Sequence, residues 1–484
     1  MQRVKRIVIV GGGIAGVSAA YGAVLRAREL GASVSVTLLE RSARFGGNLL
    51  TERHEGFLLD RGPDSWVATK PAATALVREL GLTRAIVGTN PKTRRFSIVW
   101  RGRLHLVPEG VVLGVPTQIG PLARTGLFSP QGKLRMAWEP FVAPRFFEGD
   151  DDESLAGFAT RRLGHEAAER LVAPLLGGIS GSDASDVSVR AGFPQLVTME
   201  QEYGSLVRGM IAMRSKRTHE GPTDIPRSVF LSLTGGVEDL VRAIVDRLRH
   251  AGVELRSGAP VQSIEREPDA EQSRWRVRVP DGPPLHGDEV LLAIPAHAAA
   301  PIVAALDRRA AAALEGIPFG STATVFLAYR RQDVSHPLDA VGFIVPRAAG
   351  RPIAASTWVS SKWDGRAPEG HVLVRVFVSG AAGPEVLGQD DDALVRLSRA
   401  ELRSLMGLDA EPLWAKVYRL DRATAVMRVG HAARMRAVRE SLAQSAPGVL
   451  LAGGGYDGVG ISDCVQQGRE AGRGMVESAL SGGR

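Results

Sequence analysis

The sequence predicts an α/β and α+β chain: a Rossmann-type domain built from discontinuous segments, a mixed or antiparallel-sheet domain, and a helical insertion. Three observations predict it. Residues 4–40 read as strand, glycine-rich turn, helix and strand; residues 449–484 return to strand, glycine turn and helix; and the middle alternates between helical and every-other-residue patterns. At 484 residues the chain is too long for one small core and suits two or three interleaved domains. The expected division is 1–85, 227–300 and 440–484 for the first domain, 86–111 and 301–439 for the second, and 112–226 for the insertion.

Val4 to Val10 ends in a β-branched run typical of a buried parallel strand. An Ala-rich helical stretch follows to Leu30, a turn falls at Gly31, and a second strand runs from Val34 to Glu40. Glu153–Leu163, Glu166–Leu176 and Ser205–Ala212 carry apolar residues at helical spacing. Thr234-Gly235-Gly236 reads as a turn, Val237–Ala251 as an amphipathic helix and Val253–Leu255 as a strand. Near-alternation at Trp275–Val279, Thr322–Ala328 and His371–Val378 predicts the antiparallel sheet. Val449–Ala452 is a short apolar strand and Ser462–Leu480 a helix, so the chain is expected to begin and end in one domain.

Composition excludes several function classes. Cys464 is the only cysteine, so no internal disulfide and no cysteine-built metal cluster form, and the ten histidines lack ligand spacing; no metal is assigned. The apolar stretch Val290–Leu306 is broken by Pro and His and falls short of a membrane span. The first apolar run leads straight into Gly11–Gly13 and does not read as a signal peptide, which makes the cytoplasm the expected compartment. The net charge of +8 is spread rather than clustered. It reads as a solvated Arg-rich surface or as attraction for an anionic substrate or membrane, with no nucleic-acid motif beside it.

Gly11-Gly12-Gly13-Ile14-Ala15-Gly16 places GxGxxG after a strand and at the opening of a helix. Gly11 permits the tight turn, Gly13 lets backbone approach a pyrophosphate, and Gly16 allows helix–strand contact, while the helix start offers free N–H groups to phosphate. Glu40 stands where a carboxylate accepts from ribose hydroxyls and repels a 2′-phosphate, which disfavours NADP. Arg41-Ser42-Ala43-Arg44-Phe45-Gly46-Gly47 follows, in which Arg44 is suited to pair with pyrophosphate and two glycines let the backbone pass close to the nucleotide. Near the other end, the glycine-rich turn Gly453–Gly460 enters a helix and aims N–H groups at any group that gains negative charge there.

The arrangement of Glu40, Arg44, Gly46 and Gly47 with Gly56-Phe57-Leu58-Leu59-Asp60-Arg61-Gly62-Pro63 resembles the FAD-dependent amine oxidase, phytoene desaturase and protoporphyrinogen oxidase superfamily. The resemblance implies FAD held by residues 11–16, Glu40, Arg41, Arg44, Gly46, Gly47, Gly62, Pro63, Asp64, Ser65 and Val261. It also implies a flavin loop at Gly458, Val459, Gly460 and Ile461. Gly62-Pro63-Asp64-Ser65, Ser356-Thr357-Trp358 with Ser361-Lys362-Trp363, Gly342–Pro346, Val429-Gly430-His431 and Asp463-Cys464-Val465-Gln466-Gln467-Gly468 resemble bacterial porphyrinogen oxidases, closer to the coproporphyrinogen-oxidising type. The pattern is broken at Gly178–Asp183, at Ala425-Val426-Met427 and at Leu420, changes that bear on the tetrapyrrole pocket.

That resemblance implies hydride transfer from a meso carbon of the macrocycle to flavin N5, with O₂ reoxidising the flavin to give H₂O₂ and three turns completing a six-electron oxidation. No protein acid–base pair is required. Lys70 matches a basic residue of the coproporphyrinogen-type enzymes and is the propionate candidate, with Phe343 and Ile344 against the macrocycle and Arg94, Arg95 and Arg375 as unranked further cations. His431, Trp358 and Cys464 read as structural. The 112–213 region corresponds to the part that touches membranes in this family, although internal helix packing explains its apolar residues equally, and a homodimer is compatible with the sequence. An amine oxidase or carotenoid-type desaturase on the same scaffold, and a flavin-binding protein without catalysis, remain alternatives.

Overall fold

Ile7-Val8-Ile9-Val10 lies fully buried at the centre of a five-stranded parallel sheet, as an apolar run without alternation requires. The computed structural model describes residues 4–177, 183–220, 224–267, 274–280, 282–379 and 384–481, with side chains of the helix Leu206–Glu220 described to residue 213. The strand order across the sheet is Glu254–Arg256, Val34–Leu39, Lys5–Val10, Glu289–Leu292 and Val449–Leu451. Strands from the beginning, middle and end of the chain therefore share one sheet. Helices Ile14–Glu29, Glu238–His250 and Ile461–Ser481 pack on one face, and Ala296–Ala304, Arg308–Glu315 and His431–Ser445 on the other.

The first and last of these helices touch backbone to backbone, because glycine lines the seam. A Cβ added at Gly468 would lie 2.2 Å from the Ala15 carbonyl oxygen, and one at Gly472 2.0 Å from that of Ala19. No side chain fits there, so the two ends of the polypeptide are clasped.

A seven-stranded mixed sheet forms the second layer, in the order Trp414–Ala425, Phe319–Arg330, His371–Ser379, Ala355–Trp358, Gly342–Ile344, Ser97–Trp100 and Arg103–Leu106. All neighbours are antiparallel except Gly342–Ile344 with Ser97–Trp100. Its outer face buries Val325, Val376 and Phe343 with Leu394 and Leu402 of the helix Asp391–Met406. Its inner face sets Phe326, Leu373 and Tyr418 against Phe57, Leu59 and Trp363.

The described residues between 112 and 213 are mostly helical and pack around a core of their own. A buried ion network sits inside it: Arg162 donates through Nε to Glu139 at 2.9 Å and reaches Glu200 at 3.3 Å. Glu139 in turn accepts from Leu206 N–H at 2.8 Å and Ser205 Oγ at 2.6 Å, capping the helix Leu206–Glu220. Leu122, Leu127, Phe128 and Met136 pack inward, but Ile119, Leu134, Trp138, Phe141 and Phe146 are exposed. Internal packing thus accounts for only part of the apolar pattern.

The expected helix Glu166–Leu176 is split. His165–Ala167 gives way to a wider-turned helix, Ala168–Gly177, containing Pro174, which has no N–H for an ordinary i→i−4 bond. Gly178–Ser182 of the altered block lies outside the described residues. The other altered block is buried: Val426 donates to Pro318 O and Met427 O accepts from Ser188 N–H, both at 2.8 Å. Among the described residues no helix is long and apolar enough to cross a membrane.

Candidate functional site

Gly11, with φ +106°, donates to the Leu39 carbonyl at 2.7 Å and turns the chain from strand into helix. A Cβ at Gly16 would come within 1.8 Å of Gly11 O, whereas one at Gly13 would meet nothing within 4 Å. The turn is therefore packed on its inner side and open at Gly13. No side chain caps the helix Ile14–Glu29 and its first turn holds no acid, so unpaired N–H groups face that opening.

Glu40 follows the second strand. Its Oε2 accepts from Gly12 N–H at 2.7 Å, and its Oε1 accepts from Ser42 N–H at 2.8 Å and Ser42 Oγ at 2.7 Å. The carboxylate expected to face ribose thus also stitches the phosphate turn to the next loop, with one acceptor site left on Oε2 for a ligand hydroxyl. Gly258 N–H and Ala259 N–H donate to the carbonyls of Ser42 and Glu40, both at 2.8 Å, which draws the segment leading to Val261 alongside. Val261 packs against the apolar cluster on that side of the sheet.

The loop 41–47 crosses the turn. Gly46 N–H donates to Gly12 O at 2.8 Å, and a Cβ at Gly47 would lie 3.2 Å from Gly13 Cα. Arg44, the expected pyrophosphate partner, is held by its own loop. Its guanidinium donates to the carbonyls of Gly47 at 2.5 Å, Phe45 at 3.2 Å and Leu49 at 3.3 Å, so it braces its own loop. Arg41 is exposed.

The turn Gly62–Ser65 is a tight fit, since a Cβ at Gly62 would lie 2.1 Å from Asn48 O, and Pro63 is exposed beside it. The Asp64 carboxylate is not free for a nucleotide. It meets Lys362 Nζ at 2.8 Å, Trp363 Nε1 at 3.0 Å and Ser65 Oγ at 2.7 Å. Burial alone would raise its pKa, but the Lys362 charge and these hydrogen bonds hold it well below the usual carboxylate range. The Ser65 hydroxyl donates to Asp64. Among the cation candidates, Arg375 lies between the Phe326 and Phe377 rings and donates to Arg61 O at 3.0 Å. Burial lowers its pKa to about 10 against the pull of Asp64 and Asp60. It supports the turn from below, while Arg94 and Arg95 are exposed.

The C-terminal loop reaches the same edge of the parallel sheet. Gly455 N–H donates to Gly458 O at 2.8 Å, and Gly458 has φ +124°. Tyr456 anchors the loop, its hydroxyl donating to Ile294 O at 2.8 Å while its own carbonyl contacts His431 Nε2 at 3.0 Å. His431 is buried and burial lowers its pKa, in keeping with a structural role. Val459 and Gly460 are half-buried at the mouth of the helix, and Ile461 is buried in the core. Lys70 Nζ lies 2.7 and 2.8 Å from the two Asp463 oxygens, and Ser462 Oγ donates to Lys70 O at 3.0 Å. The residue expected to wait for a propionate therefore already holds a carboxylate of its own chain.

Phe343, expected against the macrocycle, packs elsewhere in this structure. It is 1% exposed and faces the outer core with Trp358, because alternation along its strand turns it away from the inner face. Ile344, one residue on, is half-buried on the inner face with its register partners Ile98 and Ala355. Trp358 is core, with Nε1 unpaired, and Cys464 is a packing residue whose thiol burial and the nearby Asp463 push up to about 12. Sequence reasoning missed Asp60, although it stands in the quoted motif. It accepts from Thr51 Oγ1 at 2.6 Å and Val237 N–H at 3.1 Å and pairs with Arg366 at 3.1 Å, joining three segments.

Two glycine turns, each opening a helix at one edge of a parallel sheet, the first backed by the acidic strand end Glu40, define a dinucleotide-binding scaffold. The chain belongs to the flavin containing amine oxidoreductase family, whose sequence model matches residues 14–475. FAD is its cofactor. The coproporphyrinogen III oxidase of Bacillus subtilis (strain 168) is 34% identical over 467 residues, covering 96% of this chain and 97% of that protein. The coproporphyrinogen III oxidase of Staphylococcus aureus is 30% identical over 472 residues, covering 96% and 98%. A crystal structure from Exiguobacterium sp. 255-15, provisionally described as a protoporphyrinogen oxidase, superimposes with a TM-score of 0.84 at 34% identity over 99% of this chain and 100% of that one.

Proposed function

We propose that this protein is an FAD-dependent porphyrinogen oxidase of haem biosynthesis that converts coproporphyrinogen III to coproporphyrin III, with protoporphyrinogen IX as the other candidate substrate. The observation that carries the reading is likeness along the whole chain: 34% identity over 467 residues to an enzyme of that name, with no large insertion or missing part. Bound FAD supplies a two-electron acceptor, and three rounds remove six electrons and six protons, three O₂ becoming three H₂O₂.

The chain's own residues bind, orient and exclude water. Gly13 and the uncapped start of Ile14–Glu29 receive phosphate, Glu40 fixes that turn and takes ribose hydroxyls, and Gly46, Gly47, Gly62 and Val261 supply close backbone. The loop Gly458 to Ile461, apart from the Gly460 N–H that Asp463 holds, offers backbone donors where the reduced ring would gain charge. The macrocycle lies over the inner sheet face near Ile344, and its propionates seek cations such as Lys70, whose side chain is 40% exposed. The segments 1–85, 227–300 and 440–484 form the nucleotide domain, and 86–111 with 301–439 the substrate domain. The enzyme works in the cytoplasm, and the exposed Trp138, Phe141 and Phe146 support a peripheral contact with the membrane's inner face.

Anaerobic mixing of the FAD-loaded protein with coproporphyrinogen III, protoporphyrinogen IX and primary amines tests the reading. Bleaching of the flavin by coproporphyrinogen III first, by protoporphyrinogen IX more slowly and by amines not at all is the expected result. Bleaching by amines alone, or by none of them, would overturn it.

A further inference from the structure

Lys70 and Asp463 are brought together from opposite ends of the chain, 393 residues apart, at the entrance of the C-terminal helix. Asp463 sits in the first turn of that helix, and the loop before it wraps its carboxylate. Oδ2 accepts from Gly460 N–H at 3.1 Å, and a Cβ added at Gly458 would lie 2.7 Å from the same oxygen. An acid there stabilises the helix start and places a full negative charge against the loop 458–460. Lys70 answers it with both ammonium contacts under 3 Å, on a side chain 40% exposed, against 15% for the aspartate.

We propose that Lys70 and Asp463 form a charge-balanced pair that sets the reduction potential of the flavin. Reduction adds negative charge to the ring. An unbalanced Asp463 therefore disfavours the reduced form, and an unbalanced Lys70 favours it. Both are positioning residues rather than catalytic ones, acting through the loop 458–460. The proposal rests on the reading that this loop faces the flavin.

The test is a potentiometric titration of the FAD-loaded protein without substrate, comparing the ratio of reduced to oxidised flavin at one fixed ambient potential. Lys70→Met lowers that ratio by about threefold or more and Asp463→Asn, which keeps an acceptor for Gly460, raises it by about as much; a tenfold change corresponds to about 30 mV for this two-electron couple. The double variant returns towards the parent, and Lys70→Arg, with the charge kept, stays there. Shifts of the same sign in both single variants, or ratios within error of the parent while flavin remains bound, overturn the pair and leave the flavin reading standing. Protein that takes up no flavin in any form overturns both.

Discussion

Asp64 and Lys362 stand 298 residues apart in the chain and 2.8 Å apart in the fold. Their contact ties the turn Gly62–Ser65 to the short helix Val359–Lys362 of the second layer, so the nucleotide-side turn takes its position from the substrate-side sheet. Asp64→Asn leaves Lys362 with a half-matched partner in a mostly buried setting and is expected to cost about 3 kcal/mol at neutral pH. The native carboxyl has a depressed pKa, so its contribution is fully present above the unfolded value of about 4 and is lost as pH falls through the folded one. Urea midpoints of parent and variant are therefore expected to differ at pH 7 and to draw together progressively as pH falls from about 4 towards the depressed folded value. A gap that stays constant with pH would count against this assignment.

The glycine seam gives an internal comparison. Gly472→Ala places its Cβ 2.0 Å from Ala19 O, where only backbone movement relieves the clash, while at Gly474 on the same helix a Cβ meets nothing within 4 Å. Gly472→Ala is expected to destabilise by about 2–3 kcal/mol and to weaken FAD retention, since the seam carries both helix starts. Gly474→Ala is expected to be neutral or to stabilise by about 0.5–1 kcal/mol. Thermal melts with and without FAD read both. Equal behaviour of the two variants would mean that the seam is not the constraint.

Much of this was legible in the sequence because the signals are local. Ile7 to Val10, Gly11 to Gly16 and Val449 to Leu451 announce their elements by run, turn and period, and each forms within a residue or two of its expected bounds. What was not legible depends on separation in the chain. Nothing near Lys70 points to Asp463, and nothing near Asp64 points to Lys362, so neither ion pair could be read from the sequence. The strand Gly342–Ile344 shows a second limit. Period two separates Phe343 from Ile344, but both faces of this sheet are covered, so the pattern cannot say which residue faces the site.

Glu40 carries two duties, and its charge serves both. In Glu40→Gln one of the contacts to Gly12 and Ser42 must face an amide NH₂ instead of an oxygen, leaving a backbone donor unpaired. Affinity for FAD is expected to fall about tenfold, equivalent to about 1.4 kcal/mol, and the unpaired donor to lower the melting of flavin-free protein by an amount worth about 1 kcal/mol. Equilibrium dialysis against FAD measures the first and calorimetry the second. A large loss of stability without loss of affinity would assign Glu40 to the scaffold alone.

Cys464 sits in the helix that follows the flavin loop, and its sulfur lies 3.8 Å from where a Cβ of Gly454 would be. With the thiol pushed up to about 12, the reactive thiolate is about one part in ten thousand at pH 8. Burial hides what remains. An aromatic disulfide reagent is therefore expected to titrate no thiol in the folded, FAD-loaded protein and one per chain in urea. Cys464→Ala is expected to leave oxidase turnover within about twofold of the parent, because the side chain fills space and exchanges no electrons. Rapid labelling of the native protein, or turnover lost in Cys464→Ala while its flavin stays bound, would give the sulfur a chemical part that its surroundings do not support.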